Sequence, residues 1–293
     1  DGVLDHSYAS GSPDAGFYIG QCYPCDAIVN NVISENNGLG YSGTNSGGSL
    51  YIISSVFKNN KGGLAPNTLD SELLPPERET FIIGNLIENN NNIDAPATQA
   101  TNLSLGNGVV IAGGNNNIIK NNVIANHNLY GVIITATADV NYWPAHGNRV
   151  ESNLIINSKR ADIASSGLSN LGNCFENNYF NTSIPPGLQT LNNCDSSFYP
   201  LSADLSGMWS SLARVIQTSD GNYNQGDWRT FEAPTNQPNM PIMDELIDLG
   251  YDKTTLPVLK IWSSVKPAVE VFSQYEDVLE EIELPQEARN YLN

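Results

Sequence analysis

The sequence predicts an all-β chain wound into a solenoid of flat stacked turns and followed by a partly helical, acidic tail. Three observations predict it. A polar-flanked pair of large apolar residues returns every 24 to 37 residues, a glycine-led apolar alternation lies between the pairs, and both patterns stop after Cys194.

The first element is clearest at Ile118 to His127, and versions of it recur as Ile28–Asn36, Tyr51–Asn60, Phe81–Asn90, Arg149–Ser158 and Cys174–Thr182. Aligning Val32-Ile33, Val56-Phe57, Leu86-Ile87, Val123-Ile124, Leu154-Ile155 and Tyr179-Phe180 gives steps of 24, 30, 37, 31 and 25 residues, the range of solenoid repeats. The residue before each pair is Asn31, Ser55, Asn85, Asn122, Asn153 or Asn178. A short amide or hydroxyl at one recurring place predicts side chains stacked rung upon rung, each satisfying its neighbour and the turn backbone. The second element begins at Gly16, Gly38, Gly63, Gly108 and Gly131, with a degenerate version at Ala161. The first and third residues after each glycine face one way, as strand alternation demands. Each repeat is therefore expected to hold two short β segments with a Gly or Asn corner between them. β-Branched runs broken by Asn-Asn and Gly-Gly argue against helix.

Asn-Asn-Val-Ile-x-x-Asn followed by Gly-Val-x-Ile resembles the parallel β-helix repeat family, a right-handed single-stranded solenoid. The resemblance covers about residues 2 to 194. It implies the fold and a secreted or cell-surface setting, and it points to a polysaccharide as partner. Family members are polysaccharide lyases, hydrolases, epimerases and non-enzymatic surface proteins, so fold alone does not choose among activities. The chain departs from three known site patterns. It has no Asn-Thr-Asp with Asp-Asp and Gly-His-Gly, no Asp-Pro-His-Asp beyond a faint echo in Asp5-His6, and no calcium-and-arginine lyase site that can be placed. Val3-Leu4 reads as a strand already inside the pattern. A cap or whole rungs are therefore expected upstream of Asp1, in a chain that reads as a processed or truncated product.

The domain organisation follows. Residues 1–194 form the coil, and 195–293 hold a capping helix, an irregular connector and amphipathic tail helices. Leu205, Met208, Trp209, Leu212, Val215 and Ile216 have helical spacing and predict a helix over Ala203–Gln217 that covers the last rung. Thr218–Met240 reads as connector, Pro241–Leu249 as a short helix ended by Gly250, and Val271–Ile282 as a second amphipathic helix before Pro285. The tail carries 16 acids and 6 bases, a net −10. It docks along the coil or reaches to another protein; both readings stand at this point.

Composition excludes some partners. Thirteen basic against 31 acidic side chains give −18, which disfavours nucleic acid and anionic membrane surfaces because both need clustered Lys and Arg. No window of about 20 apolar residues occurs to span a bilayer. Cys22, Cys25, Cys174 and Cys194 are an even set in a Lys-poor chain, which suits an oxidising, extracellular compartment. Three pairings are open, the most local being Cys22 with Cys25 and Cys174 with Cys194. A zinc site would need a second nearby pair of ligands. Asn102-Leu-Ser and Asn181-Thr-Ser match the glycosylation acceptor pattern.

Insertions in a solenoid gather on its faces and often bind ligands. Asn67–Thr80 and Thr135–Gly147 both follow the glycine-led strand and should emerge on one side, whereas Asn91–Asn107 leaves from another corner. Together they are expected to wall a shallow groove, which the run Ser42–Ser49 either floors or leaves as a simple turn. Two sets of chemistry-bearing residues stand out. Asp5, His6, Tyr18 and Asp26, with Tyr8 and Asp14 nearby, offer the acid, imidazole and phenol that proton abstraction or glycosidic cleavage uses. Tyr130, Tyr142, Trp143 and His146, with His127 and Asp139, offer flat faces for sugar rings. The plain alternatives are a turn after Pro13 for Asp14, the end of a disulfide loop for Asp26, a strand end for His6 and a corner substitution for His127. Lys58, Lys120 and Arg149 point outward and suit an acidic sugar or simple solvation. Calcium is the metal that Asp, Glu and loop carbonyls would accommodate, although no twelve-residue calcium loop is present.

Overall fold

The computed structural model describes residues 2–167, 171–195 and 284–292, all within one compact unit. The helices expected at Ala203–Gln217, Pro241–Leu249 and Val271–Ile282 and the connector Thr218–Met240 lie outside the described residues.

The chain is a parallel β-helix with three sheets. Sheet A holds Gly2–Asp5, Ala27–Asn30, Gly47–Ile53, Arg78–Ile83, Ile118–Lys120, Arg149–Glu151 and Cys174–Glu176. Sheet B holds Tyr8–Ser10, Ile33–Glu35, Val56–Lys58, Leu86–Glu88, Val123–Ala125 and Leu154–Ile156. Sheet C holds Ala15–Tyr18, Leu39–Thr44, Gly62–Asn67, Val109–Ala112, Tyr130–Thr135, Ala161–Ser166 and Ser183–Ile184. Neighbours within these sheets pair in parallel, so each turn of chain adds one strand to each sheet.

Three strands per turn correct the expected two. The sheet A strand stands just before the polar-flanked apolar pair, and two residues separate the strands, a left-handed one and then the polar one. His6, Asn31, Ser54, Asn121, Ser152 and Asn177 occupy that corner with φ between 45° and 54°. Asn is the non-glycine residue that adopts this conformation most readily, so one residue turns the chain from sheet A to sheet B. In sequence the two strands therefore read as one run.

The residue after each corner points inward and forms a ladder. Asn122 Nδ2 donates to Asn153 Oδ1 at 2.9 Å and to Ile82 O at 2.9 Å, and Asn153 Nδ2 donates to Asn178 Oδ1 at 2.9 Å and to Ile119 O at 2.8 Å. The ladder runs from Ser55 through Asn85, Asn122, Asn153 and Asn178 and ends on Gln189 of the short helix Leu188–Leu191, whose Oε1 accepts from Asn178 Nδ2 at 2.9 Å. The predicted stacking is thus present, with one register correction. Ile33, not Val32, pairs with Val56, while the Val32 amide donates to Ser55 Oγ. Val32 occupies the ladder position and Asn31 the left-handed one.

A second ladder, Asn37–Asn60–Asn90, follows sheet B. A third, Asn117–Asn148–Asn173, precedes sheet A. The glycines before the inward residues of sheet C leave room for the backbone of the next rung, with the second ladder close beside it. A Cβ on Gly63 would sit 2.1 Å from Gly108 O and 3.1 Å from Asn90 Nδ2. In the first turns the glycine matching Gly16 is Gly40 rather than Gly38, since Phe17 pairs with Tyr41 and Tyr41 with Leu64.

Inside the coil Val29, Ile52, Ile82, Ile119, Val150 and Phe175 of sheet A meet Phe57, Ile87, Ile124 and Ile155 of sheet B and the inward residues of sheet C in one buried cluster. Burying each such side chain contributes about 1.5–3 kcal/mol, and the ladders let the corner amides enter without leaving polar groups bare. Residues 284–292 return to the outside of sheet B. Leu284, Ala288 and Tyr291 pack on Val56, Leu86 and Val123. Lys58 Nζ pairs with Glu287 at 2.7 Å, and the Tyr291 hydroxyl donates to Glu88 and accepts from Asn126. Of the two expectations for the tail, its last residues follow the first and dock along the coil.

Candidate functional site

The two insertions Asn67–Thr80 and Thr135–Gly147 both leave sheet C at its corner with sheet A, as their position after the glycine-led strand predicts. They meet across the turn between them. The second forms an antiparallel hairpin, Thr137–Ala138 with Tyr142–Trp143, and Asp70 of the first accepts from Asn141 N and Nδ2, each at 2.7 Å, and from Trp143 Nε1 at 3.1 Å. Asp70 N in turn donates to Asp139 at 2.9 Å. These donors, the Asn141 backbone amide foremost, hold the Asp70 carboxyl below its ordinary range.

The first insertion also ties down the N-terminal turns. Tyr18 donates to Glu72 at 2.6 Å, Tyr23 to Glu79 at 3.0 Å, and Leu73 N to Gln21 at 3.2 Å. Asn45, within the Ser42–Ser49 run, supports the insertion from below by donating to Leu69 O at 2.7 Å and Glu72 O at 3.0 Å. Arg78 lies over the Tyr23 ring at 3.7 Å. One corner of the coil thus carries a continuous hydrogen-bonded surface on which Tyr18, Tyr23 and Tyr142 are 43%, 42% and 40% exposed and Trp143 is half-buried. The third insertion lies at the corner of sheets B and C, where Thr98 N and Thr101 Oγ1 donate to Pro13 O. It stands at the other end of the sheet C strands from the first two.

Asp5 and His6 stand at the opposite end of the sheet A strand from Asp26. His6 Nδ1 is 2.9 Å from Asp5 Oδ1, and Asn30 Nδ2 also donates to Asp5. Asp26 turns the chain before Ala27–Asn30 with φ 47°. The pairing of Gly2 with Ala27 and Asp5 with Asn30 separates the two places by a four-residue strand, on the order of 10 Å. Tyr18 is with Glu72 at the loop corner. Burial, with the Glu72 bond and charge second, pushes its phenol up to about 12, so it stays protonated near neutral pH. The four residues proposed for proton transfer are therefore split between two corners.

Of the residues proposed to contact sugar, Tyr142 and Trp143 lie on the loop corner. Tyr130 leaves the set as a correction: it is 2% exposed, packed with Ile133, Ala161 and Ala164, so it presents no face to a ligand. His146 braces successive turns, its amide donating to Asn115 Oδ1 and its Nδ1 accepting from Leu171 N at 3.1 Å. His127 takes the place of Asn in the second ladder, as the corner-substitution reading predicts. Its Nε2 faces Ile87 O at 3.3 Å, and burial pushes its pKa down to about 4.

No family model matches the chain, and no curated protein matches its sequence. Among solved structures it is similar to the A-module of the mannuronan C-5 epimerase AlgE4 of Azotobacter vinelandii, at 16% identity and a TM-score of 0.39. The similarity covers 62% of this chain and 56% of that module, so the chain spans little more than half the length of the protein it matches.

Both local disulfides, Cys22–Cys25 and Cys174–Cys194, are formed, the state that an oxidising compartment maintains. Among the described residues Glu151, Glu176 and Cys194 are grouped with ligand atoms within 4.8 Å, but they do not fit calcium. Cys194 is in a disulfide, and Glu151 already faces Arg149 at 2.5 Å and Lys120 at 3.6 Å. Of the glycosylation candidates Asn181 is exposed and Asn102 is half-buried in the helix Gln99–Asn102. No helix among the described residues is long and apolar enough to cross a membrane.

Residues that the sequence reading missed at the loop corner are Asp70, Glu72 and Asn141. Their partners are 69, 54 and 71 positions away in the chain, respectively, and only the winding brings them together.

Proposed function

We propose that this is a secreted β-helix protein that binds a polysaccharide at the corner built by the loops Asn67–Thr80 and Thr135–Gly147. The observation that carries the reading is the fixed array of exposed aromatic side chains, Tyr18, Tyr23 and Tyr142 beside Trp143, set among hydrogen-bonded acids and amides on a rigid coil. Aromatic faces cover the apolar side of a sugar ring, and the neighbouring carboxylates and amides accept and donate to its hydroxyls. Because each polar group is already held by a partner, the surface is preorganised and loses little freedom on binding.

Binding to a panel of plant, algal and bacterial glycans tests this reading. Retention by at least one glycan, weakened in Trp143→Ala, is expected. Absence of retention across the panel sinks it.

A second reading is a non-catalytic scaffold, favoured by the separation of Asp5 and His6 from Tyr18 and Asp26. In that reading the coil is a rigid spacer and the acidic tail contacts a partner protein. Chain shortening or epimerisation of any bound glycan, lost in His6→Ala, would exclude it and make Asp5 and His6 the place to look for proton transfer.

A further inference from the structure

Resting on the glycan-binding reading, we infer that the polysaccharide taken at the loop corner is one without acidic groups. The first observation is charge. The exposed aromatics are bordered by Asp70, Glu72, Glu79 and Asp139, each already accepting a hydrogen bond. The basic residue of this corner, Arg78, is spent on the Tyr23 ring and on Pro76 O at 2.9 Å.

The second observation is that cations elsewhere among the described residues are engaged too. Lys58 is paired with Glu287, Lys120 and Arg149 with Glu151. Lys61 is buried with its ammonium on Ile93 O at 2.6 Å, and Arg160 lies over the Tyr130 ring at 5.5 Å. Among the seven described Lys and Arg side chains, Lys159 stands apart from these contacts. A polyuronate brings one negative charge per sugar. At this corner it would meet four carboxylates beside the aromatic rings and, among the described residues, no bidentate Arg to receive it. A chain of neutral sugars meets no such opposition, because ring stacking and hydroxyl hydrogen bonds need no counter-charge. The formal charge of −18 over the whole chain acts in the same direction at longer range.

The test is native affinity electrophoresis of the full chain through gels containing neutral glucans, galactans and xylans or, in parallel, alginate and polygalacturonate, at low salt and at about 0.3 M salt. Retention by a neutral glycan with less than about twofold change across the salt range is expected, with none by the polyuronates. Tyr142→Ala, an exposed change that leaves the core intact, should weaken that retention roughly three- to tenfold. Salt-sensitive retention by a polyuronate overturns the inference while leaving the glycan-binding reading in place. Retention by a neutral glycan that Tyr142→Ala does not alter overturns the assignment to this corner. Retention by no glycan at all removes both.

Discussion

The Asn117 side-chain amide donates to Glu77 Oε2 at 2.8 Å, where the matching amide one rung later, on Asn148, donates to the backbone oxygen of Gly114. Glu77 thus closes the third ladder with a carboxyl instead of a carbonyl. It is fully buried, accepts from Thr80 Oγ1 at 2.8 Å, and needs Gly114, whose Cβ would lie 1.9 Å from its Oε2. Burial pushes its pKa up from 4.5 to about 8, against the smaller opposing pull of Thr80, Asn117 and Arg78.

A folded pKa above the unfolded one means that stability is fully present below pH 4.5 and is lost as pH rises through about 8. The loss is on the order of a few kcal/mol. The melting temperature should therefore fall between pH 5 and 9, and Glu77→Gln, which keeps the shape without the charge, should flatten that fall. An unchanged slope in the variant would remove Glu77 as the cause.

Neighbouring asparagines do different work. Asn122→Ala removes the acceptor of Asn85 N and Nδ2 and the donor to Ile82 O and Asn153 Oδ1, leaving buried groups bare at about 2–4 kcal/mol. Asn121→Gly keeps a left-handed corner at φ 54° and should stay within about 0.5 kcal/mol of the parent. Urea unfolding of the two variants distinguishes ladder from corner.

Gly63→Ala forces a methyl to 2.1 Å from Gly108 O and should cost about 2–3 kcal/mol. Gly2→Ala meets nothing within 4 Å and serves as the neutral control. Equal melting temperatures for the two would contradict the rung spacing.

Ala288 is fully buried against Val56, Leu86 and Val123. Ala288→Asp places a carboxylate in that contact, and limited proteolysis should release the terminal segment about tenfold faster with the coil intact. Cleavage at the parental rate would mean that this contact does not hold the segment.

Much of the winding was legible because its causes are local. A left-handed Asn or Ser, an inward amide and two alternating apolar residues repeat the same short-range chemistry in each turn. The errors were also local: sheet A merged with sheet B because only two residues, the corner and the ladder residue, separate their strands, and Val32 was placed one position out because an apolar residue stands where later rungs carry Ser or Asn. The position of Tyr142 and Trp143 on an inserted loop was legible from the insertion length. Tyr130 was not separable from them, since burial depends on Ile133, Ala161 and Ala164 in adjacent strands.

By itself the sequence determined the coil, because repeat, corner and ladder are each encoded within a few residues and need only stacking to become a fold. It left three disulfide pairings open, and the structure selects the most local one, Cys22 with Cys25 and Cys174 with Cys194. Only the tertiary structure decided which chemistry shares a surface. Asp70 reaches Asn141 across 71 positions and Lys58 reaches Glu287 across 229. Charge and hydrogen-bond complementarity between segments so far apart has no periodic trace in the chain, and is set by the number of turns and the corner from which each loop departs.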